Sequence, residues 1–127
     1  MKPSIADSVR RFVETQETQA AAAGQLTADL NAQPLSIDNA TLHQHQLAGL
    51  NWIKSRYEQK INCLLADEMG LGKTLQAIAF LAYLRDHHSL EGPFLIVCPL
   101  TVVEVWMKEF ENYCPCFTTK AYIGEKS

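Results

Sequence analysis

The stretch "INCLLADEMGLGKT", Ile61 to Thr74, constrains the fold more than any other. An apolar run enters it, glycines turn the chain, and a helix-favouring sequence leaves it. Two readings compete for the same residues. Asp67 and Glu68, at the end of the apolar run, have the look of metal-binding carboxylates delivered by a strand. Gly70-Leu71-Gly72-Lys73-Thr74 has the look of a phosphate-cradling loop, in which backbone N–H groups and the positive end of the following helix dipole converge on an anion. Placement decides between them. Carboxylates that hold a metal across such a site come from a neighbouring strand, since a side chain just ahead of Lys73 approaches from the wrong side. Asp67 and Glu68 are therefore read as loop residues. Lys73 is then the point charge for the β and γ phosphates, and the Thr74 hydroxyl the ligand for Mg²⁺.

The flanking sequence predicts the elements around this loop. Leu42, Gln46, Leu47, Leu50, Ile53 and Tyr57 recur at helical spacing, which predicts an amphipathic helix capped by Thr41. Strand "INCLLA", the glycine loop, helix "KTLQAIAFLAYLRDHH", turn "LEGP", strand "FLIVC", helix "VVEVWMKEFENY" and a short strand "KAYIG" follow. Strand–helix–strand–helix–strand spells an α/β class with parallel strands and helices stacked on the sheet. Ahead of Pro34 the composition shifts to Gln, Thr and Ala. Ile5, Val9, Phe12 and Val13 fall at helical spacing, whereas "ETQETQAAAAGQLTADLNAQ" offers little to bury. Residues 1–33 are thus expected to be a helical or disordered N-terminal extension, and residues 34–127 the packed domain.

Size and charge narrow the function. With 127 residues, 14.2 kDa and 47% hydrophobic residues, the chain suffices for one modest domain. No segment approaches the roughly 20 consecutive apolar residues of a membrane helix, and "MKPSIADSVRRFVETQ" lacks the apolar centre of a signal peptide, so a soluble, non-secreted protein with no membrane partner is expected. Cys63 and Cys98 sit in apolar runs as small hydrophobes. Cys114 and Cys116 form "CPC" without a second ligand pair, which disfavours metal and fits a reducing compartment. Residues 1–40 hold three basic and five acidic side chains, and residues 41–127 eight and nine. Neither part carries an electrostatic footprint for nucleic acid. His43 and His45 straddle Gln44 and are expected to diverge on a helix, while His87 and His88 are helix-end residues. Trp52 and Trp106 are expected in the core.

The full string "LADEMGLGKT" resembles the phosphate loop of the Swi/Snf-type chromatin-remodelling ATPases of helicase superfamily two, although Asp67 stands where the general phosphate-loop pattern begins with Gly. The resemblance runs from about Leu42 to the end. It implies a partial RecA-like (P-loop NTPase) lobe over residues 34–127, an incomplete helicase ATP-binding domain. It also implies ATP as ligand at Gln46, Asp67, Glu68, Met69, Gly70, Leu71, Gly72, Lys73 and Thr74. In "LHQHQLAGLNW" the family's adenine-reading glutamine corresponds to Gln46, whose carboxamide can donate to and accept from one edge of adenine. "FLIVCPLTVVEVWMKEF" resembles the segment that contacts the tracked DNA strand, which assigns Pro99, Leu100 and Thr101 to DNA. His45 replaces the aromatic residue usual before the glutamine, and Val105 the Asn usual before the tryptophan.

The resemblance implies an ATP hydrolase with Mg²⁺, acting on nucleosomal or double-stranded DNA in the nucleus beside the subunits of a remodeller complex. Family members hydrolyse ATP with an Asp-Glu pair on a later strand and arginines from a second lobe. After Thr74 the acidic residues are Asp86, Glu91, Glu104, Glu109, Glu111 and Glu125, and no two adjoin after an apolar run. Turnover by these 127 residues alone is not expected. The alternative is a truncated remnant that binds nucleotide or a partner. A phosphate-loop kinase or GTPase is disfavoured because the base-reading helix precedes the loop.

Overall fold

The computed structural model describes residues 4–11, 26–66 and 72–124. Within them the chain folds as helices joined by irregular segments. A short helix, α1, covers residues 5–11, with the Ser4 hydroxyl accepting from the Asp7 amide at 3.1 Å. Helix α2 spans Gln44–Glu58, α3 spans Lys73–His88, and α4 spans Val103–Tyr113 after a single 3₁₀ turn at Leu100–Val102. Helix α2 packs on α3, and α3 on α4.

The expected α/β class with parallel strands is not what forms. Among the described residues there is no strand and no sheet; the segments 61–66, 94–98 and 120–124 are all irregular. The reason is physical. A helix satisfies its backbone within its own segment, whereas a strand needs a second backbone alongside, and alternation of apolar residues reports only which side chains can face a core. Residues 94–98 keep that alternation: Phe94 and Ile96 pack against the core, while Leu95 and Val97 are each 87% exposed. Their facing matches a strand, but among the described residues no neighbouring backbone pairs with them.

The core sits between the three longer helices. Leu50 of α2 meets Ile78, Ala79, Ala82 and Tyr83 of α3, and Phe110 and Cys114 close it from the α4 side. Full burial of a side chain such as Leu50 or Ile78 is worth about 1.5–3 kcal/mol. The segment before α2 laces the far ends of the helices together. The Asp38 amide donates to the Tyr113 carbonyl at 2.7 Å, the Asn39 side chain to the Asn112 carbonyl at 2.9 Å, and the Ser36 amide to Asp86 at 2.9 Å.

Several local expectations are corrected. The first helix residue of α2 follows His43, not Thr41, as the capping residue. Because His43 has extended backbone outside the helix, its ring does not diverge from that of His45; the two stack with centroids 5.8 Å apart. Trp52 is 37% exposed beneath the Arg56 guanidinium, outside the core, and Trp106 is half-buried against Phe110. Cys63, expected as a small buried hydrophobe, is exposed.

Residues 26–30 are held to α2 by polar contacts. Lys54 and Glu58, one turn apart on α2, pair at 2.8 Å with side chains only 4% and 8% exposed. Thr27 donates its amide to Glu58 at 2.9 Å and also hydrogen-bonds it through its hydroxyl, and the Lys54 ammonium donates to the Thr27 hydroxyl at 2.6 Å. Tyr83 of α3 donates to Glu58 at 3.3 Å and shares a 2.8 Å hydrogen bond with His88. The Leu30 amide donates to the Asn51 side-chain oxygen at 2.7 Å. Burial alone would raise the Glu58 carboxyl, but hydrogen bonds from Lys54 and Thr27 outweigh it and hold it at about 2, against 4.5 ordinarily.

Two predictions follow from this packing. A folded-state pKa below the unfolded one means that the Glu58 contribution is present above 4.5 and disappears as pH falls through 4.5 towards about 2. Thermal unfolding of the wild type should therefore lose midpoint steadily across that window, and Glu58→Gln should flatten the loss while lowering the neutral-pH midpoint. Parallel slopes for the two proteins would show that the carboxylate is not the acid-sensitive contact. The second prediction concerns Gly49, where a Cβ would overlap the carboxamide nitrogen of Gln76, a fully buried side chain on α3. Gly→Ala inside a helix ordinarily stabilises by about 1 kcal/mol. Here Gly49→Ala should destabilise by about 1–3 kcal/mol through overpacking, read from urea melts followed by circular dichroism, and a raised midpoint would rule out the close α2–α3 approach.

Candidate functional site

The last residues of the glycine loop, Gly72, Lys73 and Thr74, stand at the start of α3. Gly72 is its N-terminal flanking residue, with φ +75 and ψ 42, a left-handed conformation that side chains with a Cβ rarely adopt. Lys73 and Thr74 follow as the first two residues of α3, both partly exposed. The helix therefore presents unpaired N–H groups and a positive dipole end beside a lysine and a hydroxyl. Asp67, Glu68, Met69, Gly70 and Leu71 lie outside the described residues.

Tertiary packing brings Gln46 to the same place. It sits in the first turn of α2, 6% exposed. A Cβ added to Gly72 would overlap the Gln46 carboxamide nitrogen. Glycine is thus required at position 72 twice over, by its backbone angle and by the side chain lying against it. The Gln46 carboxamide oxygen accepts from the His43 amide at 2.9 Å. That contact uses one of the two lone pairs of the oxygen and fixes the side chain as part of the α2 start.

Gln76, which no sequence motif singles out, joins these pieces. Its side-chain nitrogen donates to the Gln46 carbonyl at 3.2 Å, and its oxygen is buried without a hydrogen-bond partner. It is fully buried between the start of α2 and the first turns of α3, with Gly49 providing the room. The available signal was a carboxamide inside an apolar stripe: Gln76, Ala79 and Tyr83 share one helical face, and all three are buried. A buried polar group at such a position is held by a specific partner.

Pro99, Leu100 and Thr101 are placed elsewhere. Pro99 precedes the 3₁₀ turn before α4 and Leu100 and Thr101 begin it, all three exposed, with Leu100 at 67%. A groove of about 920 Å³ lies beside them, between α3, α4 and the segments 91–98 and 116–122. Arg85, Glu91 and Lys120 are the charged residues on its otherwise largely apolar wall. No described helix is long and apolar enough to cross a membrane. Among the described residues, no three His, Cys, Asp or Glu side chains converge as a metal site.

Comparison with known proteins identifies the lineage of this arrangement. The SNF2-related domain matches residues 45–127, from the residue before Gln46 through the glycine loop to the end. The Chromatin-remodeling ATPase INO80 of Pyricularia oryzae is 44% identical over 99 residues, 78% of this chain and 5% of that protein. The protein of the same name from Debaryomyces hansenii is 44% identical over 99 residues, covering 78% of this chain and 7% of that protein. Its namesake from Arabidopsis thaliana is 49% identical over 84 residues, 66% of this chain and 6% of that protein. The chain thus spans a small part of the length of these relatives. Over that part, the stretch carrying Gln46, Gly72, Lys73 and Thr74 is SNF2-related sequence, and the chain belongs to the SNF2-related domain family of Swi/Snf-type remodellers.

Proposed function

We propose that this chain is the ATP-binding portion of an ATP-dependent chromatin remodeller, a DNA-dependent ATPase of the Swi/Snf type. The observation that carries the proposal is the juxtaposition of Gln46 with Gly72 directly ahead of Lys73 and Thr74. In this reading the base-reading and phosphate-binding groups stand side by side. In this reading Lys73 and the helix start of α3 hold the phosphates, Thr74 supplies a hydroxyl for Mg²⁺, and Asp67 to Leu71 complete the loop. What supports a nucleotide here is a left-handed glycine with the Gln46 carboxamide of α2 lying against it, followed by a lysine and a hydroxyl at the start of α3. Mg²⁺, when bound, would neutralise phosphate charge there. Gln46 distinguishes adenine from guanine, and Gln76 positions it by anchoring the Gln46 backbone to α3.

The larger setting is inferred from the relatives, each named Chromatin-remodeling ATPase INO80. Nucleosomal or double-stranded DNA is the proposed partner, with Pro99, Leu100 and Thr101 at the contact, other remodeller subunits nearby, and the nucleus as the location. The composition supplies little positive surface for DNA, so most of the phosphate neutralisation is assigned to parts of such a motor outside these residues. The 127 residues by themselves are proposed to hold nucleotide without turning it over.

Calorimetry with ATP or ADP and Mg²⁺ tests the phosphate contact. Lys73→Ala should cost roughly 1.5–3 kcal/mol, the scale of a charge-assisted hydrogen bond; equal affinities would remove the loop from the site. The base contact is tested by competing a fluorescent ADP analogue with ATP and with GTP. The wild type should favour ATP by roughly 1–3 kcal/mol, and Gln46→Ala should lose the preference while the dependence on Lys73 persists. Because Gln46 also caps α2, the ratio of the two nucleotides is the diagnostic reading. An unchanged ratio would return Gln46 to a purely structural role.

A further inference from the structure

Cys114 and Cys116 flank Pro115 where α4 gives way to the 116–122 segment, and the nucleotide reading uses neither. Cys114 is fully buried in the core beside Phe110 and closes α4: its amide donates to the Phe110 carbonyl at 2.8 Å, and its carbonyl accepts from the Phe117 amide at 3.2 Å. Cys116 is exposed. Both are free thiols, and their sulfurs lie 3.3 Å apart.

The sequence explains why the pair meets. A residue before proline is driven out of the helical region, and Cys114 has φ −148 and ψ 66. The helix therefore stops at Cys114, the chain turns through Pro115, and Cys116 comes back over the residue it would otherwise leave behind. Cys63 is also exposed, yet among the described residues the sulfur contact is between Cys114 and Cys116.

We propose that Cys114-Pro115-Cys116 is a hydroperoxide-reactive dithiol site, in which exposed Cys116 is oxidised first and buried Cys114 resolves it to an intramolecular disulfide. In the first step the Cys116 thiolate attacks one peroxide oxygen, the O–O bond breaks, and hydroxide leaves, giving a sulfenic acid. In the second, the Cys114 sulfur attacks the Cys116 sulfur, the S–O bond breaks, and the departing hydroxide takes the Cys114 proton as water. Two thiols lose two electrons together, and one hydrogen peroxide becomes two waters.

The division of roles follows from position. Peroxide reaches Cys116 from solvent but not Cys114. Burial, and then the Cys116 sulfur beside it, push the Cys114 thiol up to about 12, so it stays protonated while Cys116 reacts. Under reducing conditions a disulfide of this kind is transient and is reopened by cellular thiols. Its closure acts on α4, because Cys114 is both the end of that helix and part of the core.

The test uses the full chain, reduced and then exposed to increasing hydrogen peroxide before alkylation and trypsin digestion. The peptide Glu109–Lys120 carries both cysteines and neither of the others. It should appear unalkylated and lighter by two hydrogen masses, with reversal by dithiothreitol, at doses that leave the Cys63 and Cys98 peptides alkylated. Cys114→Ser should leave Cys116 as a sulfenic acid trapped by dimedone. Cys116→Ser, which spares the core, should leave Cys114 a free thiol through the same doses. Double alkylation of the Glu109–Lys120 peptide at doses that already oxidise Cys63 would overturn the proposal. So would a Cys116→Ser protein whose Cys114 is oxidised as fast as in the wild type.

Discussion

The contact between α2 and α3 is the constraint on which the rest of the structure depends. Leu50, Ile78, Ala79, Ala82 and Tyr83 bury their side chains there, and Gly49 lets the helices approach closely enough for Gln76 to reach across to the Gln46 carbonyl. One close approach thus fixes two things. It forms the core, and it sets the start of α2 against the start of α3, where Gln46 lies beside Gly72. The polar network of Lys54, Glu58, Thr27 and Tyr83 extends the same interface at the other end of α2 and ties residues 26–30 to it.

Polar groups inside this interface are costly unless partnered, so they specify geometry more sharply than the apolar contacts do. Glu58 illustrates the balance: burial raises its carboxyl, and the donors around it lower it further than burial raises it. Gln76 leaves its oxygen without a partner among the described residues, and its nitrogen supplies a hydrogen bond that registers α2 on α3 beside Gly72. Apolar pairs of similar volume could slide past each other. A carboxamide aimed at a single carbonyl cannot.

Helices were legible in the sequence because their signals are local. The 3.6-residue spacing of Leu42 to Tyr57, the glycines before Lys73 and the proline after Cys114 each act within a turn or two of the chain. Phe94 to Cys98 show where that legibility stops. Their alternation places Phe94 and Ile96 inward and Leu95 and Val97 outward, as a strand would, yet among the described residues no second backbone pairs with them as a ladder. The exposure of Trp52 has a similar origin: helical spacing places it on α2, but only the direction from which α3 arrives decides which face of α2 is covered.

By itself, then, the sequence determined the span of α3 and, to within a turn, those of α2 and α4, the place of Lys73 and Thr74 at a helix start, and membership of the SNF2-related domain family. All of these are written in neighbouring residues, where backbone preference, hydrogen bonds from i to i−4 and motif order operate. Tertiary structure alone decided that no sheet joins the described segments, that the Gln46 carboxamide rests on Gly72, that Gln76 bridges the two helices, and that the sulfurs of Cys114 and Cys116 touch across a turn. Each of these depends on where a helix or turn directs groups that the linear order does not aim at one another. That direction is settled by close packing, which admits Gly49 against Gln76 and refuses anything larger.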